Sequence, residues 1–255
     1  MSRASTPRGA PASAQGISAV LFDFHATLVD GGDALASLDA AWTRAGYAGR
    51  AEQALGSADC RRLAQQVHHL WDRVGEVDPE GRRDLSPALH RAAFDALMAR
   101  IPGMDPILAD GFYSVMPEMW RPYRDTLPTL TELRRRGIAL ALVSNVHSDI
   151  RPVMARWHML ELFDAVILSI EVGVVKPHAA IFQAALDALA VPADSALMVG
   201  DDPLNDAGAA AMGVRTLLLP RTEQRERGLG LSLRLIGEPK PGARTPGATQ
   251  PGVHP

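Results

Sequence analysis

Short apolar runs alternate with longer amphipathic stretches along most of the chain. Continuous apolar runs of this length are typical of strands buried on both faces of a parallel sheet. They predict strands at 18–24, 138–143, 165–169, 196–199 and 214–219. Apolar residues at three- and four-residue spacing predict the intervening helices at 127–136, 149–157, 178–189 and 206–212. Strands that alternate with helices in this way indicate a parallel sheet with helices on both faces.

One stretch, residues 31–125, interrupts this alternation. It has no convincing strand pattern, and the spacing of its apolar residues predicts helices at 35–45, 51–76, 86–100 and 110–120. Because the stretch directly follows the first strand, we expect an all-helical insertion. We therefore predict an α/β fold: a doubly wound (Rossmann-like) parallel sheet core formed by 17–30 and 126–220, with an inserted helical cap at 31–125.

The two ends of the chain differ from its middle in composition. Residues 1–16 are rich in Ser, Ala, Pro and Gly, and residues 221–255 are rich in Pro, Gly and Arg. Segments with so little apolar surface do not offset the entropy that is lost on ordering. We therefore predict that both segments are disordered tails.

Composition and charge exclude several classes of protein. The 255 residues carry a formal net charge of −3, whereas a general nucleic-acid-binding domain is strongly basic. No apolar run approaches the roughly 20 residues of a membrane helix, and the first residues lack the apolar core of a signal peptide. We expect neither a nucleic-acid nor a membrane partner. The single cysteine, Cys60, has no internal disulfide partner, which favours a cytoplasmic location.

Polar side chains follow four of the predicted strands. They are Asp23, His25 and Thr27 after the first strand, Ser144 and Asn145 after the second, Lys176 after the third, and Asp201, Asp202 and Asp206 after the fourth. Ligands of doubly wound folds bind at this edge of the sheet. Taken singly, most of these residues are explained as helix caps or turn residues. Their order and spacing together favour a functional site.

Two carboxylates of this set, Asp23 and Asp201, are expected at neighbouring strand ends. Bare carboxylates repel each other unless a cation lies between them, and Mg²⁺ prefers oxygen ligands. The chain has 26 lysines and arginines, but the only lysines are Lys176 and Lys240. Arginine does not replace lysine where a compact charge is required, so Lys176 is a candidate partner of the carboxylates. This combination suits phosphoryl transfer, because a carboxylate can attack phosphorus.

Four motifs resemble those of the haloacid dehalogenase-like (HAD) hydrolase superfamily, in the branch with a helical cap after the first motif. They are Val20–Leu28 (VLFDFHATL), Leu142–Asn145 (LVSN), Gly173–Pro177 (GVVKP) and Val199–Asp206 (VGDDPLND). The resemblance covers about 17–220. It implies a hydrolase with an α/β core, a bound Mg²⁺ and a small phosphorylated metabolite as substrate.

The resemblance also implies a role for each residue at the strand ends. Asp23 would be the nucleophile and a Mg²⁺ ligand, and Lys176 would orient it and balance its charge. The backbone carbonyl of His25 and the carboxylate of Asp201 would be the further metal ligands.

The remaining residues of the motifs would bind the transferring group or support the site. Thr27, Ser144 and Asn145 would contact the substrate. Asp206 would support Lys176 or a metal-bound water, and Asp202 is a weaker candidate for a supporting role.

The first motif departs from the phosphatase pattern of this superfamily. Phosphatases usually have Asp two residues after the nucleophile, followed by Gly, whereas this chain has His25 and Ala26. That second Asp protonates the leaving oxygen and then activates water, and a positioned acid/base contributes roughly 10²–10⁴-fold to the rate. The metal ligand at this position is a backbone carbonyl, so His25 is compatible with Mg²⁺ binding.

Three interpretations of His25 follow. First, His25 replaces Asp as the acid/base. Second, the enzyme acts on another bond, as metal-independent haloacid dehalogenases do, although they lack the motif-four pattern that Asp201 and Asp206 preserve here. Phosphonoacetaldehyde hydrolases use a cap lysine, and residues 31–125 contain none. Third, the protein binds a ligand or partner without turnover. Among the possible functions, we favour a Mg²⁺-dependent phosphate-ester hydrolase first, another hydrolytic reaction on the same scaffold second, and a protein that only binds third.

Overall fold

A five-stranded parallel sheet lies at the centre of the computed structural model, which describes residues 16–222 and 224–236. Five strands form this sheet: β1 (Ala19–Phe22), β4 (Ala139–Ser144), β5 (Ala165–Leu168), β6 (Ala196–Gly200) and β7 (Arg215–Leu218). Two short strands, β2 (Val29–Asp30) and β3 (Arg121–Pro122), form a separate pair. The sheet has the order β5-β4-β1-β6-β7, with β1 paired to β4 and β6. The predicted α/β class and its parallel sheet are confirmed.

Helices cover both faces of the sheet and form the segment between β2 and β3. They are α1 (Ala34–Arg44), α2 (Ala51–Leu55), α3 (Ser57–His68), α4 (Pro87–Met98), α5 (Pro106–Met119), α6 (Thr126–Arg135), α7 (Arg151–Arg156), α8 (Ser169–Val172), α9 (Ala179–Leu189) and α10 (Gly230–Ile236). The 3₁₀ helices include Leu70–Glu76 and Arg83–Leu85 between β2 and β3, and Asp206–Met212 after β6. Across the described ranges, no helix is long and apolar enough to cross a bilayer.

Strand β1 shows why the apolar runs of the sequence form strands. Val20 and Phe22 point into one hydrophobic cluster and Leu21 points into the other, on the opposite face. All three side chains are fully buried. A strand buried on both faces is apolar at every position, which is the pattern that the sequence displays. The carboxyl end of β1 therefore lies in the middle of the sheet edge.

The helices from 34 to 119 (the helical segment) share a hydrophobic cluster of their own. Helices α1 and α5 pack closely within it, because a Cβ on Gly111 would lie 2.4 Å from the carbonyl oxygen of Ala41. The two-residue strands β2 and β3, which flank this segment in the sequence, pair antiparallel. Strand β3 was not predicted, because two residues are too few for a periodic pattern. The boundaries of a cap at 31 and 125 stay a prediction.

The prediction of a disordered tail from residue 221 is wrong for residues 224–236. Helix α10 packs against the core, where Leu229 is fully buried and Leu233 and Ile236 are partly buried. Their spacing of four and three residues is the helical signal that the Pro- and Gly-rich composition of the whole segment obscured. The backbone N–H groups of 227, 228 and 229 donate to Asp125 at 2.8 Å. Residues 1–15 and 237–255 of the predicted tails lie outside the described residues.

Candidate active site

A buried lysine joins two carboxylates at the carboxyl edge of the sheet. Lys176 Nζ lies 2.6 Å from Asp23 Oδ1 and 2.6 Å from Asp206 Oδ1. Lys176 is 3% exposed, Asp23 8% and Asp206 0%. Three elements that are distant in sequence supply these groups, because Asp23 follows β1, Lys176 precedes α9 and Asp206 follows β6. The structure thus brings together three of the residues that the sequence analysis selected.

The position of Asp206 depends on the loop that follows β6. Its Oδ2 accepts hydrogen bonds from the backbone N–H groups of Asp201 and Asp202, both at 2.9 Å. A Cβ on Gly200 would lie 2.1 Å from this oxygen, so only glycine allows the carboxylate to approach the strand end. A Cβ on Gly208 would lie 2.5 Å from Cβ of Pro177, beside Lys176. Two glycines therefore allow the close packing that places Asp206 against Lys176.

Asn145 holds the backbone of Lys176 by two reciprocal hydrogen bonds. The Lys176 N–H donates to Asn145 Oδ1 at 2.7 Å, and Asn145 Nδ2 donates to the Lys176 carbonyl oxygen at 3.2 Å. The Asn145 side chain thus positions the lysine, and its predicted substrate contact remains a prediction. Ser144 lies beside it, buried at the end of β4.

Asp201 is held from two sides. Thr27, which is fully buried, donates its hydroxyl to Asp201 Oδ1 at 3.4 Å. Arg221 Nε donates to Asp201 Oδ2 at 2.6 Å, and the same guanidinium lies 3.4 Å from Asp72 in the helical segment. The sequence analysis placed Thr27 in contact with substrate, whereas this bond orients Asp201. It missed Arg221 altogether, because this residue fell in the predicted tail.

The site carries more negative than positive charge in its interior. Burial raises the pKa of Asp23 to about 7, against the opposing charge of Lys176, and the carboxylates of Asp206 and Asp201 raise it further. Burial also raises the pKa of Asp201. Although burial alone would lower it, the pKa of Lys176 is raised because two carboxylates face the ammonium. An added cation would relieve this imbalance.

The donor atoms fit a hard divalent cation. Oxygen atoms of Asp23, Asp201 and Asp206 lie within 4.8 Å of one another. Hard cations such as Mg²⁺ take oxygen ligands of this type and are bound through one or two carboxylates plus substrate phosphate. The cluster includes Asp23 and Asp201, two of the residues predicted to hold the metal.

The turn after Asp23 carries the departure from the phosphatase pattern. Ala26 adopts a left-handed conformation, with φ at 60°, where the usual residue is glycine. Arg227 Nε donates to its carbonyl oxygen at 2.5 Å. The His25 ring contacts Trp120 edge-on, with centroids 5.8 Å apart, and keeps an exposed face. The surrounding protein desolvates His25, and with the charges of Arg221 and Arg83 it lowers the His25 pKa to about 4.

Asp202 is used within its own turn rather than in the centre of the site. Its Oδ1 accepts from the N–H groups of Leu204 and Asn205 at 2.8 and 3.0 Å. Its Oδ2 accepts from the Asn205 side-chain amide at 2.8 Å. These bonds explain Asp202 as a turn residue of the loop that carries Asp206, and its weaker supporting role stays a prediction.

Known proteins resemble this chain both in sequence and in fold. A phosphoserine phosphatase from Thermus thermophilus is 40% identical over 101 residues, which are 39% of this chain and 41% of that protein. A ribulose-1,5-bisphosphate 5-phosphatase from Halopiger xanaduensis is 34% identical over 125 residues, 48% of this chain and 52% of that protein. The chain thus spans about half the length of these curated relatives.

The fold is also shared with a dehalogenase. The structure of L-2-haloacid dehalogenase from Xanthobacter autotrophicus with chloropropionic acid covalently bound is 25% identical, with a TM-score of 0.54. The similarity covers 87% of this chain and 85% of that one. A family model described as haloacid dehalogenase-like hydrolase matches residues 17–213, which include all four motifs. The chain therefore belongs to the haloacid dehalogenase-like hydrolase family.

Proposed function

We propose that the protein is a Mg²⁺-dependent phosphate-monoester hydrolase that acts on a small phosphorylated metabolite. The observation that carries this proposal is the buried group of Asp23, Lys176 and Asp206, in which Nζ lies 2.6 Å from both carboxylates. The names of the curated relatives, which are phosphatases, support the same reaction.

Asp23 supplies the nucleophile in this proposal. Lys176 binds Asp23 Oδ1, so Oδ2 is the oxygen that attacks phosphorus. The new bond joins Oδ2 to phosphorus, the ester P–O bond breaks, and the leaving oxygen takes a proton from solvent water, because His25 is neutral near pH 7. Water then attacks the aspartyl-phosphate, which releases phosphate and restores the carboxylate. The ammonium of Lys176 favours the ionised form of Asp23 and orients it for attack.

Asp23, Asp201 and the backbone carbonyl of His25 would hold the metal. Bound Mg²⁺ would neutralise the charge that develops on the phosphoryl oxygens. Thr27 and Arg221 hold the Asp201 carboxylate in place by hydrogen bonds. Ser144 and Asn145, at the end of β4, would contact the transferring group.

His25 takes the proton-transfer role in this proposal. Its ring packs against Trp120 and keeps an exposed face, so it is oriented and still accessible to a substrate or water. Imidazole can accept a proton from the attacking water and return it to solvent.

The helical segment would act as a cap over this edge of the sheet. Asp72 faces Arg221 at 3.4 Å, and the carbonyl oxygen of Asp84 accepts the Ser169 hydroxyl at 2.6 Å. Both contacts join the helical segment to residues that follow strands of the sheet. A cap in this position excludes water from the phosphoryl group and leaves substrate choice to its own residues.

The test measures phosphate release from p-nitrophenyl phosphate and a panel of phosphorylated metabolites, with Mg²⁺ and with EDTA. We expect turnover that requires Mg²⁺ and is abolished in Asp23→Asn. The control Asp187→Asn changes an exposed carboxylate on α9 and should retain the wild-type rate. A wild-type rate in Asp23→Asn would contradict the proposal.

Two further results separate the alternatives. His25→Asp should shift the pH profile or raise the rate if His25 occupies the acid/base position. The similarity to a haloacid dehalogenase favours carbon–halogen hydrolysis as the second candidate. Halide release from 2-chloropropionate in EDTA, without phosphate release from any ester, would establish that reaction instead. No turnover of either type would favour a ligand-binding role.

A further inference from the structure

A second group of metal-ligating side chains lies between the helical segment and the sheet. It consists of Asp84, His90 and His147, whose ligand atoms lie within 4.8 Å of one another. Asp84 belongs to a 3₁₀ helix and His90 to α4, whereas His147 follows β4. Asp84 is 7% exposed and His90 5%. We propose that this cluster, the Asp84–His90–His147 site, binds a transition-metal ion such as Zn²⁺ and joins the helical segment to the sheet.

The two imidazole rings are arranged with their nitrogens free for a ligand. His90 and His147 stack with centroids 3.5 Å apart and planes at 15°. Their burial, together with the nearby charge of Arg83, lowers the pKa of His90 to about 3 and that of His147 to about 4. Both rings are therefore neutral near pH 7, which is the form that coordinates metals.

Neighbouring groups orient the proposed ligands. His90 Nδ1 lies 3.2 Å from the Tyr113 hydroxyl, which leaves Nε2 as the coordinating atom. Arg83 Nε donates to Asp84 Oδ2 at 3.2 Å, which leaves Oδ1. In the described part of the chain, neither His90 Nε2 nor the His147 ring has a hydrogen-bond partner. The contact of His90 Nδ1 with Tyr113 is of the kind that a metal-binding imidazole typically makes through its other nitrogen.

Ser169 fixes the distance between the two halves of the site. Its fully buried hydroxyl donates to the Asp84 carbonyl oxygen at 2.6 Å and accepts from the Val146 N–H at 2.9 Å. The turn that carries Asp84 is thereby tied to the residue that precedes His147. Ligand atoms around tetrahedral Zn²⁺ lie about 3.4 Å apart, so the widest pair needs to close by at most about 1.4 Å. Because the in-plane lone pairs of two parallel stacked rings point the same way, one imidazole must also rotate out of the stack for both nitrogens to face the ion.

The ligand set separates this site from the one around Asp23. Two imidazoles and one carboxylate favour Zn²⁺, Fe²⁺ or Co²⁺, whereas the oxygen-only cluster favours Mg²⁺. A bound ion would tie the helical segment to the loop that contains Asn145 and His147. This inference is independent of the proposed phosphatase reaction.

The test uses Co²⁺ as the probe, because its visible d–d absorption reports nitrogen ligands and geometry. Full-length protein stripped with a chelator is titrated with Co²⁺ in an excess of Mg²⁺, which competes for the oxygen-only cluster. We expect one Co²⁺ per chain, displaced by Zn²⁺ and not by Mg²⁺, and a higher melting temperature with the ion bound. His147→Gln should weaken Co²⁺ binding by about tenfold or more, as expected from the loss of one ligand.

Three variants make the result decisive. His158→Gln, which changes a histidine with an 85% exposed side chain, should bind Co²⁺ as the wild type does. Asp201→Asn, which alters the oxygen-only cluster, should also retain the d–d bands. His90→Gln should lose them, with circular dichroism as the check on its folding. Unchanged binding in His147→Gln, loss of the bands in Asp201→Asn, or no binding by the wild type would each overturn the proposal.

Discussion

Arg227 is the residue whose replacement tests the structure most directly. Its guanidinium donates to three backbone carbonyl groups: Nε to Ala26 at 2.5 Å, Nη2 to Leu219 at 2.9 Å, and Nη1 to Pro220. The residue is only 4% exposed. It therefore connects the turn that follows the proposed nucleophile to the loop after β7 and to the C-terminal helix.

The cost of Arg227→Met follows from these contacts. Hydrogen bonds to a charged group contribute about 1.5–3 kcal/mol each, and a carbonyl that is left buried without a donor adds a penalty. Removal of a buried charge returns part of its desolvation energy, so the three bonds do not simply add. We expect a loss of about 3–5 kcal/mol from the free energy of unfolding, a large share of the roughly 5–15 kcal/mol of a typical protein.

The measurement is urea unfolding followed by far-UV circular dichroism, with Arg225→Met as the matched control. Arg225 lies two positions away and pairs with Asp30 at 3.1 Å, with its side chain 44% exposed. An exposed ion pair contributes about 0–1 kcal/mol, so this control should unfold nearly as the wild type does. The reasoning is refuted if the two variants differ by less than about 1 kcal/mol.

Three further predictions concern single buried or strained groups. Lys176→Met leaves the carboxylates of Asp23 and Asp206 without their cation and should lower the free energy of unfolding by about 3–5 kcal/mol at pH 7; a change below about 1 kcal/mol in urea unfolding contradicts this. Ala26→Gly relieves a positive φ and should stabilise the protein by roughly 0.5–1 kcal/mol, which a lower urea midpoint would disprove. Burial raises the pKa of Asp84 to about 6, so its ionisation disfavours the folded state as the pH rises from about 4 to 6. In EDTA, Asp84→Asn should therefore be about 2–3 kcal/mol more stable than the wild type above pH 6 and equal to it near pH 4; a difference independent of pH excludes this cause.

The sheet and the polar residues at its edge could be predicted because both produce local patterns in the sequence. An apolar run such as Val20–Phe22 is continuous since β1 is buried on both faces. The polar residues that follow each strand are brought together by parallel topology alone. Asp23, Lys176 and Asp206 could therefore be selected before their distances were known.

The contacts that the sequence did not predict join segments far apart in the chain. Arg227 bonds the carbonyl oxygen of Ala26 across 201 positions. His90 stacks on His147 although one belongs to the helical segment and the other to the loop that follows β4. Such pairs have no periodic spacing, and each residue alone looks like a solvated charge or a core histidine. Only the fold itself, by placing the segments side by side, gives these residues partners.

Two groups near Asp23 lower the stability of the fold or add little to it, which indicates a catalytic role for this region. A buried ion pair such as Lys176 with Asp23 contributes little compared with apolar residues of the same volume. A left-handed Ala26 costs about 1–2 kcal/mol that glycine would avoid. Neither feature improves the packing of the central strand β1, which is already fully apolar and buried. Ala26 lies three residues after Asp23, and Lys176 contacts Asp23 directly, so the unfavourable terms are concentrated where the proposed reaction takes place.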